Sequence, residues 1–356
     1  MSTIERRSLA SFARHVLIAT AIVVLVLLTW TVAGALILAF AAVLLAILLR
    51  MIAEPLLDYT PLPEGWAISC VALLVACLLF AIVWLAGSEI SAQVYDVSQM
   101  LPQALRQLQE HIGDSRLAER LIAEARGGVP SAGGILSGIT GVATSTIGAL
   151  ANVVLVLFGA LYLALQPKLY RDGLVQMVPP GSQVRVAETL DACGRALRFW
   201  LLGQFVAMAL VGTLTTVGLW LAGVPGYLAL GLLAGLAEFV PFVGPIIAAV
   251  PALLLALMQD AETLFWTAAV YMTVQQLESN LINPVIVREM VALPPALTLF
   301  AIAAFGLILG LPGVLLATPL TVVAFVAVKR LWIREALNEA TTVPGETDSR
   351  AELRRS

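Results

Sequence analysis

Charged residues are scarce in this sequence, and their scarcity excludes a soluble globular domain. Only 12% of the 356 residues are Asp, Glu, Lys or Arg, whereas 60% are hydrophobic. A soluble domain typically has about 25% charged residues. Because helices satisfy their own backbone in lipid, the composition predicts an all-α membrane protein. Its net charge of −3 gives no basic footprint for nucleic acid.

Residues that usually carry enzyme chemistry are also rare. The two histidines, His15 and His111, are far apart, and the three cysteines, Cys70, Cys77 and Cys193, have neither metal-ligand nor redox spacing. The sequence contains no nucleophile elbow, metal-binding helix motif or phosphate loop. We therefore predict no enzyme activity, no cofactor and no metal site. Without a Walker motif, uphill transport would need an ion gradient or a separate partner.

Long apolar runs are what the sequence has in abundance. A membrane span needs about 20 mostly apolar residues, and about eight blocks qualify. Six predicted spans cover 15–33, 34–52, 66–87, 147–166, 199–223 and 263–283, and two longer blocks cover 225–258 and 297–328. A tight turn is predicted near Ala33-Gly34, and a polar linker at 54–65.

The positive charges predict the orientation of these spans. Clusters of Lys and Arg precede the first span, fill the segment between spans four and five, and follow the last block. Cytoplasmic loops carry such clusters, so both termini are predicted to be cytoplasmic in a bacterial inner membrane. The predicted regions are a three-span region (1–87), an extracytoplasmic helical segment (88–146), a transport core (147–328) and a cytoplasmic tail (329–356).

The extracytoplasmic segment carries a helical stripe. Apolar residues recur at steps of three and four, namely Ile90, Val94, Val97, Leu101, Leu105, Leu108 and Ile112. This pattern predicts a helix that packs on its own protein or on a sister subunit, and coiled-coil assembly is the alternative. The Gly-rich stretch 127–138 is predicted to end this helix.

Both long blocks are interrupted by proline and glycine. The breaks are PFVGP (241–245) and LPG (311–313), and a further proline, Pro251 or Pro319, follows six residues after Pro245 or Gly313. Proline lacks a backbone donor, and unwound backbone at membrane depth is tolerated only where protein buries it or it lines a cavity. Paired interruptions of this kind indicate a transporter's binding site. We expect the breaks to present carbonyls and amides to something other than lipid.

The arrangement of the two blocks has alternatives. Each either crosses once as a broken helix or folds back as a re-entrant hairpin, and the charges of the connectors favour hairpins. The shared features indicate an internal repeat or simply repeated use of Gly and Pro. Small-residue steps, GLLAG (231–235) and GLILG (306–310), are suited to close helix contact.

Polar side chains accompany the breaks. One face of the predicted helix 263–283 carries three amides, Gln276, Asn280 and Asn283, while Glu278 lies three residues after Gln275. Glu238 precedes the first break. Ionisable groups at membrane depth are rare and usually functional. These groups form either a polar seam along a substrate path or wet helix ends at the membrane surface.

Three stretches resemble one family of membrane transporters. AEFVPFVGPIIAAVPALLLAL (237–257), QQLESNLINPVIV (275–287) and LILGLPGVLLATPL (307–320) are similar to signature stretches of the autoinducer-2 exporter family. The resemblance implies a homo-oligomer, a pentamer by analogy, that exports a small solute such as the furanosyl quorum-sensing signal. Some relatives are associated instead with sodium–proton exchange.

The resemblance also implies which residues form the substrate or ion path. They are Glu238, Pro241, Gly244, Pro245, Pro251, Gln275, Gln276, Glu278, Asn280, Pro284, Gly310, Gly313 and Pro319. The expected partners are a small molecule or ion, the lipid bilayer and further copies of the chain. A sodium(lithium)/proton antiporter and a non-transporting membrane scaffold are the alternatives to an exporter.

Overall fold

Every regular element that the computed structural model describes is helical, over residues 32–81 (except 62 and 79), 132–282 and 293–337. The helices are α1 Val32–Tyr59, α2 Glu64–Leu78, α3 Ala132–Leu165, α4 Pro167–Gln176, α5 Gln183–Leu221, α6 Tyr227–Ala237, α7 Val243–Leu257, α8 Ala261–Leu277, α9 Pro295–Leu309 and α10 Leu311–Ala327. A 3₁₀ turn, Pro180–Ser182, precedes α5, and wide helical turns, Glu278–Ile282 and Val328–Ala336, extend α8 and α10.

Several of these helices have the length and composition of membrane spans. Within the described ranges, α1, α5 and α10 with its extension are long and apolar enough to cross a bilayer, and α3 with α4 adds a fourth if that bent pair is one span. Shorter apolar helices include α2, α6, α7 and α9. Large apolar side chains such as Phe158, Phe300 and Leu307 lie exposed on their outer faces. The predicted fold class, a helical membrane protein, is confirmed.

Three boundaries differ from the sequence predictions. Ala33 and Gly34, where a turn was expected, lie within the first turn of α1, and α1 continues through the first part of the expected linker to Tyr59. In this helical part of the linker, Glu54 binds Arg198 of α5. Helix α3 begins at Ala132, inside the Gly-rich stretch and well before residue 147, where the fourth span was predicted to start. The predicted span 15–33 (up to residue 31) and the stripe 90–112 lie outside the described residues.

Helix α5 is the element around which the others are arranged. It contacts α4, α6, α8 and α10. Its buried face packs against α1 and α10 in one apolar cluster, whose members include Ala196, Leu197, Trp200, Leu201, Ile37, Leu44, Leu316 and Val322. Because lipid tails are as apolar as these side chains, close packing, more than exclusion of water, holds such helices together. A second cluster joins α1, α2 and α3 through Ala46, Leu49, Ile68, Val71 and Ala160.

Both broken blocks fold back on themselves. In the second block, α9 lies along α10: Gly306 faces Val314, and Ile302 shares a cluster with Ala317. In the first block, Leu230 of α6 and Ala252 of α7 share a cluster, although they lie on opposite sides of the break. In each block, residues at similar distances before and after the break therefore lie together, which is the geometry of a helical hairpin. We call these segments hairpin 1 (α6–α7) and hairpin 2 (α9–α10).

An aspartate defines the start of α8, immediately after hairpin 1. The backbone N–H of Thr263 donates a 2.7 Å hydrogen bond to Oδ1 of Asp260, as an N-cap residue accepts from the first turn. This hydrogen bond lowers the pKa of the exposed Asp260 carboxyl. Asp260 belongs to the acidic connector 259–262, whose charge favoured the hairpin layout. This connector therefore also carries the signal that starts α8.

The contact between α5 and α6 depends on small residues, as the GLLAG step predicted. A Cβ added to Gly235 would lie 2.7 Å from the carbonyl oxygen of Met208 and 3.0 Å from Cα of Gly212. The two backbones therefore touch at this crossing.

We expect Gly235→Leu to destabilise the protein by about 1–3 kcal/mol, because the new side chain forces the two helices apart. Thermal unfolding of the purified protein in detergent measures the effect. Gly148→Leu is the matched control, since a Cβ there meets no atom within 4 Å. Equal melting temperatures for the two variants would contradict the close contact.

Candidate functional site

The break in hairpin 1 is a series of tight turns. Helix α6 ends at Ala237, and the backbone then turns through Phe242, whose φ is 67° and ψ is −43°. The N–H of Val243 donates to the carbonyl of Pro241 at 2.8 Å across this residue, which is the hydrogen bond of a γ-turn with positive φ. Such turns are rare and strained. Phe242 is the one non-glycine residue with positive φ among the described residues.

Glycines let each hairpin close tightly after its break. A Cβ on Gly244 would collide with the carbonyl of Ala237, and one on Gly313 would collide with the carbonyl of Phe305. Each second helix therefore starts directly against the backbone of the first. The break in hairpin 2 is a single residue, Gly310, with φ 66° and ψ −146°, a region essentially restricted to glycine.

The predicted prolines occupy three kinds of position. Pro241 lies in the turn of hairpin 1, and Pro245 lies in the first turn of α7, where a missing N–H costs little. Pro251 and Pro319 lie inside α7 and α10, where each removes one helical hydrogen bond. Pro284 lies outside the described residues.

Two carboxyl groups meet beside the break of hairpin 1. Glu238 follows the last residue of α6 and is 2% exposed, and Glu278 follows the last residue of α8 and is 8% exposed. The two carboxyl groups lie within interaction range of each other. Nε2 of Gln275 also donates to Oε2 of Glu278 at 2.8 Å. The structure thus brings together three of the residues that the sequence analysis predicted, and we call them the carboxyl cluster.

One oxygen of this cluster has no hydrogen-bond donor. Oε2 of Glu238 is buried and has no partner among the described residues. Buried polar atoms are nearly always hydrogen-bonded, so each exception calls for an explanation. An unpaired carboxyl oxygen is a binding position for a proton or a cation. The described residues contain no group of three or more His, Cys, Asp or Glu that could hold a metal ion.

Sequence reasoning missed Gln204, which joins α5 to the break. Its Nε2 donates a 2.6 Å hydrogen bond to the backbone carbonyl of Glu238. The available signal was a single amide within span 199–223, whose other polar side chains are threonines, since polar residues inside membrane segments are usually functional. The neighbouring Trp200 packs edge-on against Phe239 at 5.7 Å between ring centroids. Helix α5 therefore holds the break by one polar and one aromatic contact.

The break exposes less backbone than the sequence analysis predicted. The carbonyls of Ala234, Leu236 and Ala237 accept hydrogen bonds from the turn that follows α6, and the carbonyl of Val240 accepts one from Gly244 at 2.9 Å. Gln204 satisfies the carbonyl of Glu238. Local turns therefore pair most carbonyls here, and the unpaired group is a carboxyl oxygen instead.

The two remaining amides are hydrogen-bonded to each other. Nδ2 of Asn280 donates to the backbone carbonyl of Gln276 at 2.9 Å and to its side-chain oxygen at 3.0 Å. Both residues are exposed and line a shallow cleft with Met272 and Thr273. Gln275 of the carboxyl cluster lines the same cleft, and the third amide of the predicted face, Asn283, lies outside the described residues.

The breaks of the two hairpins lie next to each other. One cluster contains Val240 of the first break together with Ile302 and Ala317 of hairpin 2. Phe239, Val243, Phe305 and Val314 pack around it. Gly310, Gly313 and Pro319 thus belong to the element that packs against the first break, but none of them is a member of the carboxyl cluster. A movement of hairpin 2 would displace Phe239 and Val240, the two residues directly after Glu238.

We expect Gln204→Leu to destabilise the protein by about 1–3 kcal/mol, because the buried carbonyl of Glu238 loses its donor. Thermal unfolding measures the change. Gln183→Leu is the matched control: its Nε2 also donates to a backbone carbonyl, that of Val178 at 3.2 Å, but outside the apolar part of α5. If both variants lost equal stability, burial at the break would not matter.

Comparisons with known proteins agree with this architecture. Residues 17–332 match the sequence model of the family described as AI-2E family transporter. The chain is 24% identical to YueF of Bacillus subtilis over 72% of its length and 74% of the relative's, and 28% identical to MT0215 of Mycobacterium tuberculosis over 78% of both chains. It is also 28% identical to YrrI of B. subtilis, over 47% of each chain.

All three relatives are named as candidate transport proteins, and the match to YrrI spans about half of that protein. The two hairpins and the carboxyl cluster all lie within the residues that the family model covers. This family consists of transporters and not of enzymes. The chain belongs to the AI-2E transporter family and is a membrane transport protein.

Proposed function

We propose that this transporter moves a small solute out of the cell in exchange for protons that bind at the carboxyl cluster. The observation that carries the proposal is the buried pair of interacting carboxyl groups of Glu238 and Glu278, in which Oε2 of Glu238 has no donor among the described residues. Two carboxyl groups can form a hydrogen bond only if one of them holds a proton. Such a pair is therefore a proton-binding site.

The position of the pair supports coupling between proton and solute. Glu238 belongs to hairpin 1 and Glu278 to the end of α8, so the two groups lie on separate elements. Loss of the shared proton would place two negative charges side by side in a buried site, which is strongly unfavourable. The elements would then be driven apart. Proton release is thus linked to a change in the position of hairpin 1.

The two hairpins supply the moving parts. Transporters with broken helices alternate access by moving one group of helices against another around a central site. Here the break of hairpin 1 packs on hairpin 2. The solute path that we propose runs between these hairpins, beside Pro241, Gly244, Gly310 and Gly313. Export is driven by the proton gradient.

A sodium(lithium)/proton antiporter is the second candidate, and the ligand chemistry of the cluster favours it. Hard cations prefer carboxylate and amide oxygens. Oε2 of Glu238, the carboxylate of Glu278 and the side-chain oxygen of Gln275 supply such ligands. In this case the same pair would exchange protons for an alkali cation, and no organic solute would be needed.

Several finer properties are proposals that rest on the family resemblance and on charge distribution. The solute is a furanosyl signal of the autoinducer-2 type, which would make the protein part of quorum sensing. The chain assembles with copies of itself, as a pentamer. It lies in the bacterial inner membrane with both termini in the cytoplasm, as the positive clusters predict.

Currents from reconstituted protein on solid-supported membranes test these proposals. Proton, sodium and furanosyl-solute jumps are applied to the wild type and to Glu238→Gln/Glu278→Gln. A current that needs solute and disappears in the double variant supports proton-coupled export. A sodium or proton current without solute, also lost in the variant, identifies the antiporter. A pH-sensitive dye inside the vesicles detects electroneutral exchange, and equal activity in both proteins would refute the coupling role.

A further inference from the structure

Helix α4 turns sharply away from the span that precedes it. The axis of Pro167–Gln176 makes an angle of 88° with that of Leu150–Leu165. Pro167, at the first position of α4, explains the break, because its ring cannot continue α3. If α3 crosses the bilayer, α4 lies parallel to the membrane surface. The basic residues between spans four and five place this turn at the predicted cytoplasmic face.

The composition of α4 fits such a position. Its exposed apolar side chains are Leu169, Tyr170 and Leu174, and none of its residues is buried. Lys168 and Arg171 stand among them. An amphipathic helix of this type lies at the boundary between headgroups and acyl chains. Helix α4 is therefore an interfacial helix.

A cleft opens between α4, α1 and α5. Its volume is about 490 Å³. Its walls are mainly apolar, with Val43, Ile47, Leu163, Leu174 and Leu190 among the lining residues. The walls therefore offer a surface for a hydrocarbon chain, at the depth where α3 ends.

The remaining lining residues make the cleft positive. Five basic side chains line it, Arg50, Lys168, Arg171, Arg195 and Arg198, against two acidic ones, Glu54 and Asp191. The difference between these five and two charges is +3. Glu64 and Asp172, outside the lining, pair with Arg50 and Arg171, and counting these two acids against the five basic residues still leaves an excess of positive charge.

Two ion pairs hold the walls of the cleft in place. Arg171 donates to both carboxylate oxygens of Asp191, at 2.6 Å each, which ties α4 to α5. Arg198 binds Glu54 through two contacts, one of 2.9 Å, which ties α5 to α1. Bidentate pairs fix geometry as well as charge. These ion pairs therefore fix the relative positions of the helices that form the cleft.

We infer that this cleft binds an anionic phospholipid, with the phosphate at the basic rim and an acyl chain along the apolar wall. The charge of the rim selects an anionic headgroup over a zwitterionic one, since each basic residue near a membrane surface adds attraction for anionic lipid. The apolar wall selects a lipid over a free phosphate. The site lies apart from the carboxyl cluster and is independent of the transported solute.

Native mass spectrometry of the delipidated full-length protein tests the inference. Phosphatidylglycerol, phosphatidylcholine and glycerol phosphate are added back separately. We expect phosphatidylglycerol to bind at least about tenfold more tightly than phosphatidylcholine, given the net charge of the rim. Glycerol phosphate should not displace it. Equal binding of both lipids, or displacement by glycerol phosphate, would overturn the assignment.

Two variants locate the site. Lys168→Gln/Arg195→Gln should weaken binding by roughly tenfold or more, since each charge contributes about fivefold. Arg185→Gln/Arg334→Gln removes the same charge from the same predicted face outside the cleft, and should leave affinity unchanged. Equal losses would indicate attraction to the general surface charge and refute the site.

Gly194 offers a test that changes no charge. It lines the cleft, and a Cβ there meets no atom within 4 Å. Gly194→Phe should fill the cleft and reduce phosphatidylglycerol binding by about tenfold or more, while a side chain replacing glycine in a helix does not lower helix propensity. Gly148→Phe, on an equally open position of α3, is the control. Undiminished binding by Gly194→Phe would overturn the inference.

Discussion

Glu238→Gln is expected to lower transport at least about 100-fold, the scale on which essential proton-transfer groups act, while leaving the melting temperature unchanged or raised. An amide keeps the shape of the side chain but cannot take up and release a proton. It also removes a buried group whose charged form is costly in an apolar site. Opposite changes in transport and stability are the signature of a residue kept for function at the expense of stability.

Transport in proteoliposomes and thermal unfolding should be measured on the same preparations. Glu262→Gln is the matched control, because Glu262 lies on the exposed first turn of α8 and the substitution is chemically identical. Glu278→Gln should behave like Glu238→Gln. The double variant should be no worse than either single one, because groups that act as a unit give non-additive effects. A fully active Glu238→Gln protein would remove the carboxyl cluster from the mechanism.

The sequence could predict the members of the carboxyl cluster but not the contact between them. A glutamate next to a proline break inside an apolar block was visible as a candidate, because ionisable residues at membrane depth are rare. The contact between Glu238 and Glu278 was not visible, since 40 positions separate them and only the packing of α6 and α8 against α5 brings them together. Gln204 was missed for the same reason.

Local signals predicted the helices better than their ends. Apolar runs and proline breaks gave the positions of α5 to α10 and favoured the hairpins. Ala33 and Gly34, near which a turn was expected, are helical, and the residues before Val32 lie outside the described part of the chain. The first part of the polar linker is helical, and its Glu54 binds Arg198, 144 positions away. Contacts of this range are set by tertiary packing, which no local pattern contains.

Adding a single methyl group at a hairpin glycine should have a large effect on stability. Gly244→Ala and Gly313→Ala are each expected to destabilise the protein by about 3 kcal/mol or more, because the new methyl group collides with backbone rather than with a movable side chain. The carbonyls concerned are those of Ala237 and Phe305. Each hairpin must then open at its break, which for Gly244→Ala displaces Glu238 as well.

Thermal unfolding in detergent should show a fall on the order of 5–10 °C for either variant. Gly173→Ala is the matched control, since its Cβ meets nothing within 4 Å and alanine favours the helix. Gly310→Ala separates two physical causes: its Cβ also has open space, but its φ of 66° is unfavourable for alanine. A stability loss at Gly244 and Gly313 but not at Gly310 would mean that close packing alone holds the hairpins shut. Losses at all three would mean that backbone conformation at the break of hairpin 2 contributes too, and full stability of Gly244→Ala would show that the break can relax without opening.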